Sequence, residues 1–458
     1  MNLKETVYKI SSHPALGPVG KSLYFLCERL LTHTFKGFPE IRSAYVAGSM
    51  AEGDIVPGLS DIDCVITIDD LDAREEYGLM TGLERKTRYR MPPFGKDKIG
   101  VHVVAYSLAE WALLGDLFLG KKAGRPRVLF RDREIAPDNT ISDRVKILHH
   151  LYKAYWKIIN LQDSTLNPSG SPLERELTKR IAERTMTALD NAMKEAGSGN
   201  VPRGYSGLGD RARESWELLK RSDDESKYIE MLAILLHLFD VAAGAVCQRG
   251  TNADGDSSGE ASAAGEIPAP PAGITDVVAA IRQRRKDSAA VVYTNADKAD
   301  IFLFDPADNG LTAAIVEHYK RIGDSGLRVM SIDKFRQFFL NFSDRAAVDL
   351  LSGEPLALVG ARDPEALLLD AYSILPQLRS PRTWQSAEMY ESFRGKAGRI
   401  IRELKTSAPG GGASYDGPNE GRGIPRDEYE RFVNLKVLSQ TLTETLREFL
   451  SPRQESHD

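Results

Sequence analysis

Apolar residues recur along the chain at two spacings. Over Lys21–Thr34, the positions Leu23, Phe25, Leu26, Leu30 and Leu31 follow a helical period and predict an amphipathic helix ahead of the first strand. Ala44–Ala47 reads as a short buried strand, Cys64–Ile68 as a second, and the β-branched run Ile99–Ser107 as a third, with a helix over Leu108–Leu119. Pro126–Phe130 supplies a fourth strand. From Ser142 to Asn160, Val145, Leu148, Leu151, Tyr152, Tyr155, Trp156 and Ile159 mark a strong helical face. Further helices are expected over Pro172–Lys194, Asp210–Arg221 and Lys227–Val246, with a glycine-rich loop over Gly197–Gly209 between the first two.

The pattern stops between Arg249 and Gly273, where Gly, Ser, Ala, Asp and Pro dominate. Such a composition cannot bury a core, so 249–273 is expected to be a flexible linker. Beyond it the order of elements repeats. Val291-Val292-Tyr293 and Asp300-Ile301-Phe302 resemble Tyr45-Val46 and Asp61-Ile62-Asp63. Leu327–Phe335 resembles Val103–Trp111, and Pro355–Val359 resembles the Pro126–Phe130 strand. Ala371-Tyr372 and Ser380-Pro381 match Ala154-Tyr155 and Ser171-Pro172. A glycine-rich stretch over Pro409–Gly423 and a helix starting near Tyr429 complete the series. Each match is weak; their common order points to a degenerate tandem duplication.

Length and charge narrow the class. At 458 residues, 42% hydrophobic and 27% charged, the chain has the profile of a globular protein of several domains. A formal net charge of -5 without a basic block disfavours a long nucleic-acid footprint. The stretch Asp69–Lys98 does hold Arg85, Lys86, Arg88 and Arg90, either a solvated surface or a basic lip over a phosphate-bearing ligand. Cys27, Cys64 and Cys247 lie far apart without metal-ligand spacing and read as buried thiols. The N-terminus lacks a basic start and an apolar run, and no apolar stretch reaches membrane-spanning length. A cytoplasmic location without membrane contact is expected.

The chemistry concentrates in Gly48-Ser49-Met50-Ala51-Glu52-Gly53 and, after a short loop, Ser60-Asp61-Ile62-Asp63. Residues two apart on a strand project from one face, so Asp61 and Asp63 can close on one cation. Hard divalent ions such as Mg²⁺ are commonly held by a few carboxylates together with substrate phosphates. A turn of backbone amides beside them forms an anion-binding concavity. Gly48 permits close approach and Ser49 adds a hydroxyl donor. A strand with a solvated acidic start would explain the carboxylates but not the Gly-Ser turn.

This arrangement resembles the signature of the DNA polymerase beta-like nucleotidyltransferase superfamily, and in its minimal form the kanamycin nucleotidyltransferase-like enzymes. The resemblance implies Mg²⁺ or Mn²⁺ on Asp61 and Asp63, and an NTP, by default ATP, held by Gly48, Ser49 and Ser60. A nucleoside monophosphate would pass to a hydroxyl of a small molecule or of a protein acceptor. Where such enzymes carry a third carboxylate, this chain has His102. Neutral histidine accepts a proton near pH 7 but is a poorer Mg²⁺ ligand, so base, buried structural histidine and vestige all stand open. Lys157, one turn beyond Lys153, matches a phosphate-contacting lysine in position, though a lysine there is also an ordinary solvated residue.

The second repeat has lost these groups. Asn295-Ala296-Asp297 stands in place of Gly-Ser, and Phe302 in place of the second carboxylate. In the kanamycin-type dimers a neighbouring subunit supplies the general base, and aligning the Ala-Tyr pairs puts Asp370 near that position. Asp370 is equally readable as a helix residue of the apolar run Leu367-Leu368-Leu369.

The fold expected is α/β, of the α+β kind: a mixed nucleotidyltransferase sheet with a helical domain, repeated in tandem as an internal pseudo-dimer that can act as a monomer. The catalytic domain would span 1–140, its helical partner 141–248, the degenerate copy 274–364 and the last helices 365–458. The rival reading is a catalytically inactive nucleotide-binding or scaffold protein.

Overall fold

The computed structural model describes residues 8, 17–53, 55–57, 60–89, 100–121, 125–132, 136–166, 172–197, 201–222, 224–247, 290–295, 298–303, 327–329, 347–349, 355–356, 364–407 and 424–450. The expected linker at 249–273, the glycine-rich stretch at 409–423 and Arg90 lie outside them. The protein is mixed α/β and mostly helical, and it divides into two compact units. One comprises Met1–Ser142 with Leu367–Asp458, the other Asp143–Ala366.

The first unit opens with α1 (Gly17–Lys36), β1 (Ile41–Ala47), the short α2 (Gly48–Glu52) and β2 (Ile62–Ile68). It continues with α3 (Ala73–Glu84), a single π-helical stretch (Arg85–Tyr89), β3 (Val101–Ser107), α4 (Leu108–Leu119) and β4 (Arg127–Arg131). The strands form a mixed sheet in the order β3-β2-β1-β4. β1 is antiparallel to β2 and β4, and β2 is parallel to β3. Alternation along the strands sorts the side chains. Ala44, Val46, Ile62, Cys64, Ile66 and Ala105 join Tyr24, Leu31 and Phe35 of α1 and Leu79, Met80 and Leu83 of α3 in one core. Tyr45, Val65 and Tyr106 face the other way, onto Trp111 and Phe118 of α4.

Both α3 and α4 start with a capping box, Asp72 with Glu75 and Ser107 with Glu110, which satisfies leading N–H groups and fixes where each helix leaves the sheet. The same unit contains α9 (Pro364–Arg379, from Leu367 onward), α10 (Pro381–Gln385), α11 (Ala387–Ser407) and α12 (Glu428–Leu450). Two of them, α9 and α12, meet α3 and α4 through buried charge. Arg379 reaches Glu110 at 2.6 Å and Glu76 at 2.8 Å, Lys436 pairs with Glu76, and Ser439 donates to Glu110 at 2.7 Å. Burial works against the charge of Arg379, but Glu110 and Glu76 outweigh it and hold the group protonated. Around them Tyr77 contacts Trp384, Tyr429 and Phe432, while Tyr106 stacks on Tyr372 and donates to its carbonyl at 3.0 Å.

The second unit contains α5 (Asp143–Leu166), α6 (Pro172–Ala196), α7 (Tyr205–Lys220) and α8 (Glu225–Cys247), whose apolar faces include Leu148, Leu151, Leu189, Trp216, Leu235 and Phe239. It also holds β5 (Ala290–Asn295), β6 (Lys298–Leu303), β7 (Leu327–Val329), β8 (Ala347–Asp349) and β9 (Pro355–Leu356). Their order is β7-β6-β5-β8-β9. β5 is antiparallel to β6 and β8, and β6 is parallel to β7. The strand that flanks β5 is therefore Ala347–Asp349, and Pro355–Leu356 forms an outer edge, a natural place for a proline that cannot donate to the ladder. No described helix is long and apolar enough to cross a membrane.

Candidate active site

β1 ends at Ala47 in extended backbone, and Gly48 turns the chain at φ +61 into α2. Only glycine fits there on two counts. Its φ is left-handed, and a Cβ would sit 2.8 Å from Asp63 Oδ2. The Gly-Ser turn and the second carboxylate are thus in direct apposition. The antiparallel register accounts for it, placing Ala47 opposite Asp63. Gly53, at φ +78, closes the five-residue helix. Leading N–H groups of a helical turn have no carbonyl within the helix to bond, and here they begin beside the Asp63 carboxylate.

Asp61 is positioned by β3. Its Oδ1 accepts the Gly100 N–H at 3.1 Å, and the Ile62 N–H donates to the Gly100 carbonyl at 2.8 Å. A Cβ on Gly100 would lie 2.5 Å from Asp61 Oδ1, so this glycine, too, marks a close approach. The parallel register sets His102 beside Asp63. His102 Nε2 lies 3.6 Å from Asp61 Oδ2, too long for a hydrogen bond but near enough for the charges to act. The adjoining Asp61 carboxylate raises the histidine's pKa above its ordinary 6.5 against the opposing effect of burial, with Asp63 adding to the rise. Arg382 of α10 acts in the opposite sense.

The remaining expected residues are placed as follows. Ser49 is buried in α2. Ser60 is 3% exposed: its Oγ accepts the Val56 N–H at 2.9 Å and its carbonyl accepts the Tyr24 hydroxyl at 2.6 Å, so it shapes the loop leading to Asp61. Asp370 is buried in α9, two residues before the Tyr372 that stacks on Tyr106, four residues along β3 from His102. Lys157 belongs to α5 of the other unit. Within the basic stretch, Lys86 lies 4.1 Å from the centroid of the Phe38 ring.

The structure brings together Gly48, Asp61, Asp63 and His102, and adds Gly100, for which a glycine interrupting the β-branched run before Val104 was a readable signal. Among the described residues no group of three or more His, Cys, Asp or Glu side chains is arranged to hold a metal by itself. Two solvent-accessible carboxylates on neighbouring positions do fit an Mg²⁺ that arrives with phosphate oxygens, its usual mode of binding.

No protein-family model matches the chain, and neither a curated protein nor a solved structure is significantly similar to it.

Proposed function

We propose that the protein is a metal-dependent nucleotidyltransferase that moves a nucleoside monophosphate from an NTP, ATP by default, to a hydroxyl of a small acceptor. The observation that carries this reading is the apposition at Gly48, where an amide-bearing turn with left-handed backbone abuts Asp63 at a distance that excludes any side chain. That juxtaposition suits a metal–triphosphate ligand, whose anionic and cationic parts must be received side by side.

In this mechanism the amides of the Gly48–Met50 turn receive phosphate oxygens, while Asp61 and Asp63 hold the divalent ion. Mg²⁺, when bound, offsets charge at the α-phosphate and on the leaving pyrophosphate. The acceptor oxygen bonds to the α-phosphorus as the bond to the pyrophosphate oxygen breaks. The acceptor's proton passes to His102 Nε2, where Asp61 Oδ2 at 3.6 Å stabilises the imidazolium. Most of the catalysis comes from positioning and electrostatics.

The matching strand order and senses of the two sheets support a tandem duplication in which the second copy is inactive. β5 and β6 are joined through Ala296-Asp297 alone, whereas Gly48–Asp61 joins β1 and β2, so the segment bearing the cradle has no counterpart.

One observation favours a second reading, a nucleotide-binding protein without turnover. His102, a poorer Mg²⁺ ligand than a carboxylate, is the group that lies beside Asp61, 3.6 Å from its Oδ2. Pyrophosphate release from each NTP, with Mg²⁺ or Mn²⁺ and a library of hydroxylated small molecules and proteins, separates the two. Acceptor-dependent release that is lost in the Asp61→Asn/Asp63→Asn double variant supports the transferase. Metal-dependent binding without release under any condition supports the second reading.

A further inference from the structure

Asp61 stands one residue before β2, where the strand pairing begins, and the peptide groups on its two sides are held by separate contacts. After it, the Ile62 N–H donates to the Gly100 carbonyl at 2.8 Å. Before it, the Ser60 carbonyl accepts the hydroxyl of Tyr24 at 2.6 Å, a buried bond. Peptide groups are planar, so a fixed carbonyl fixes its whole plane. Two fixed planes set the φ and ψ of Asp61, and with them the direction in which its carboxylate leaves the backbone.

Tyr24 is itself held in place. It is wholly buried in the core between α1 and the sheet. Glu28, one turn along α1, is clasped by both terminal nitrogens of Arg127 on β4, which ties the helix to the sheet. Ser60 is equally constrained, since its N–H donates to the Val56 carbonyl at 2.9 Å and its Oγ accepts the Val56 N–H at 2.9 Å. An apolar ring would fill the same space in the core. The hydroxyl is the part of Tyr24 that reaches the segment bearing Asp61.

We propose that Tyr24 is a positioning residue of the site, which acts through the Ser60 carbonyl to aim the Asp61 carboxylate at the metal of an incoming metal–nucleotide. This rests on the nucleotidyltransferase reading and deepens it: a side chain of α1 sets the geometry of a metal ligand that it does not touch. Contacts that orient a ligand are worth about 10- to 100-fold in metal affinity.

The test is calorimetric titration of the full chain with Mg-ATP, well below each melting point, for wild type, Tyr24→Phe and Phe35→Leu. Tyr24→Phe keeps the ring and removes only the oxygen. Phe35 is also wholly buried on α1, but about three turns further on, where the chain turns towards the start of β1. Its truncation therefore lowers the melting temperature without touching the Ser60 contact. The expected result is a Mg-ATP affinity lowered about 10- to 100-fold in Tyr24→Phe, partly recovered as Mg²⁺ is raised, and unchanged in Phe35→Leu. Metal-dependent binding that is equal in wild type and Tyr24→Phe overturns this role alone. A similar loss in Phe35→Leu, or a loss that added Mg²⁺ leaves unaltered, also overturns it, since either marks a purely structural tyrosine. Absence of ATP binding by wild type overturns both this role and the nucleotidyltransferase reading.

Discussion

The two sheets share a plan and differ at the junction between their first two strands as well as at the outer strand β9. In each, a central strand lies antiparallel to both neighbours and the next strand out runs parallel, giving β3-β2-β1-β4 and β7-β6-β5-β8 with β9 beyond. Between the first two strands, however, the first sheet carries Gly48–Asp61 and the second only Ala296-Asp297. The strand ladder is thus compatible with either junction, and the candidate chemistry resides in the longer one. In the first unit, α9 and α12 meet α3 and α4 through a buried group of two carboxylates and two cations.

That buried group gives the largest expected effect. Arg379→Ala leaves Glu110 and Glu76 short of a cation in a dry environment, and breaking such a pairing costs about 3–5 kcal/mol. Urea unfolding should show a loss on that scale. Amide exchange should rise in β1–β3 and leave α5–α8 unchanged, since Arg379 lies in the first unit. Next comes Asp61→Asn/Asp63→Asn, for which turnover should fall by at least about 10²–10³-fold, the scale of removing a preorganised electrostatic contact with the transition state. Asp300→Asn, within β6 of the second sheet, should leave turnover unchanged if that sheet takes no part in it.

A smaller effect separates backbone strain from crowding at the junction. Gly48→Ala and Gly53→Ala both force a side chain into left-handed backbone, at about 1–2 kcal/mol each. Only at Gly48 would the new Cβ meet Asp63, whereas nothing lies within 4 Å of a Cβ at Gly53. Both variants should lose stability in denaturant titration, and Gly48→Ala alone should also lose metal-dependent ATP binding.

The smallest effect is the titration of His102 in metal-free protein. Its pKa is raised by Asp61, so this contact stabilises the fold below about pH 6.5, the unfolded-state value, and the contribution fades as pH climbs through the higher folded-state value. An NMR titration should give a midpoint above 6.5 that falls in Asp61→Asn.

Periodicity disclosed the local elements well. The face marked by Val145, Leu148, Leu151 and Tyr155 became α5, the run after Gly100 became β3, and the apolar segment after Ser107 became α4, although Trp156 of the first stays exposed. The Gly48 turn was legible as well, since a Gly-Ser ahead of two strand-borne carboxylates has a local physical meaning. What escaped was set by distant pairing. Glu110 sits in an apolar helix and is buried at 1% exposure because Arg379 and Ser439 meet it, partners that no local window contains. Likewise Tyr372 finds Tyr106, and the strand beside β5 proved to be Ala347–Asp349 rather than the more strand-like Pro355–Val359. Side-chain pattern suggests a strand; register and hydrogen-bond partners decide where it goes.

The central claim is that Gly48, Asp61 and Asp63 together receive a metal-bound nucleotide. Its most direct measurement is equilibrium binding of ATP with and without Mg²⁺, by calorimetry, to wild type and to Asp61→Asn/Asp63→Asn at matched thermal stability. The expected result is saturable binding that needs the metal and is lost in the double variant. Binding that persists in the double variant, or no binding of any NTP by the wild type, would contradict it.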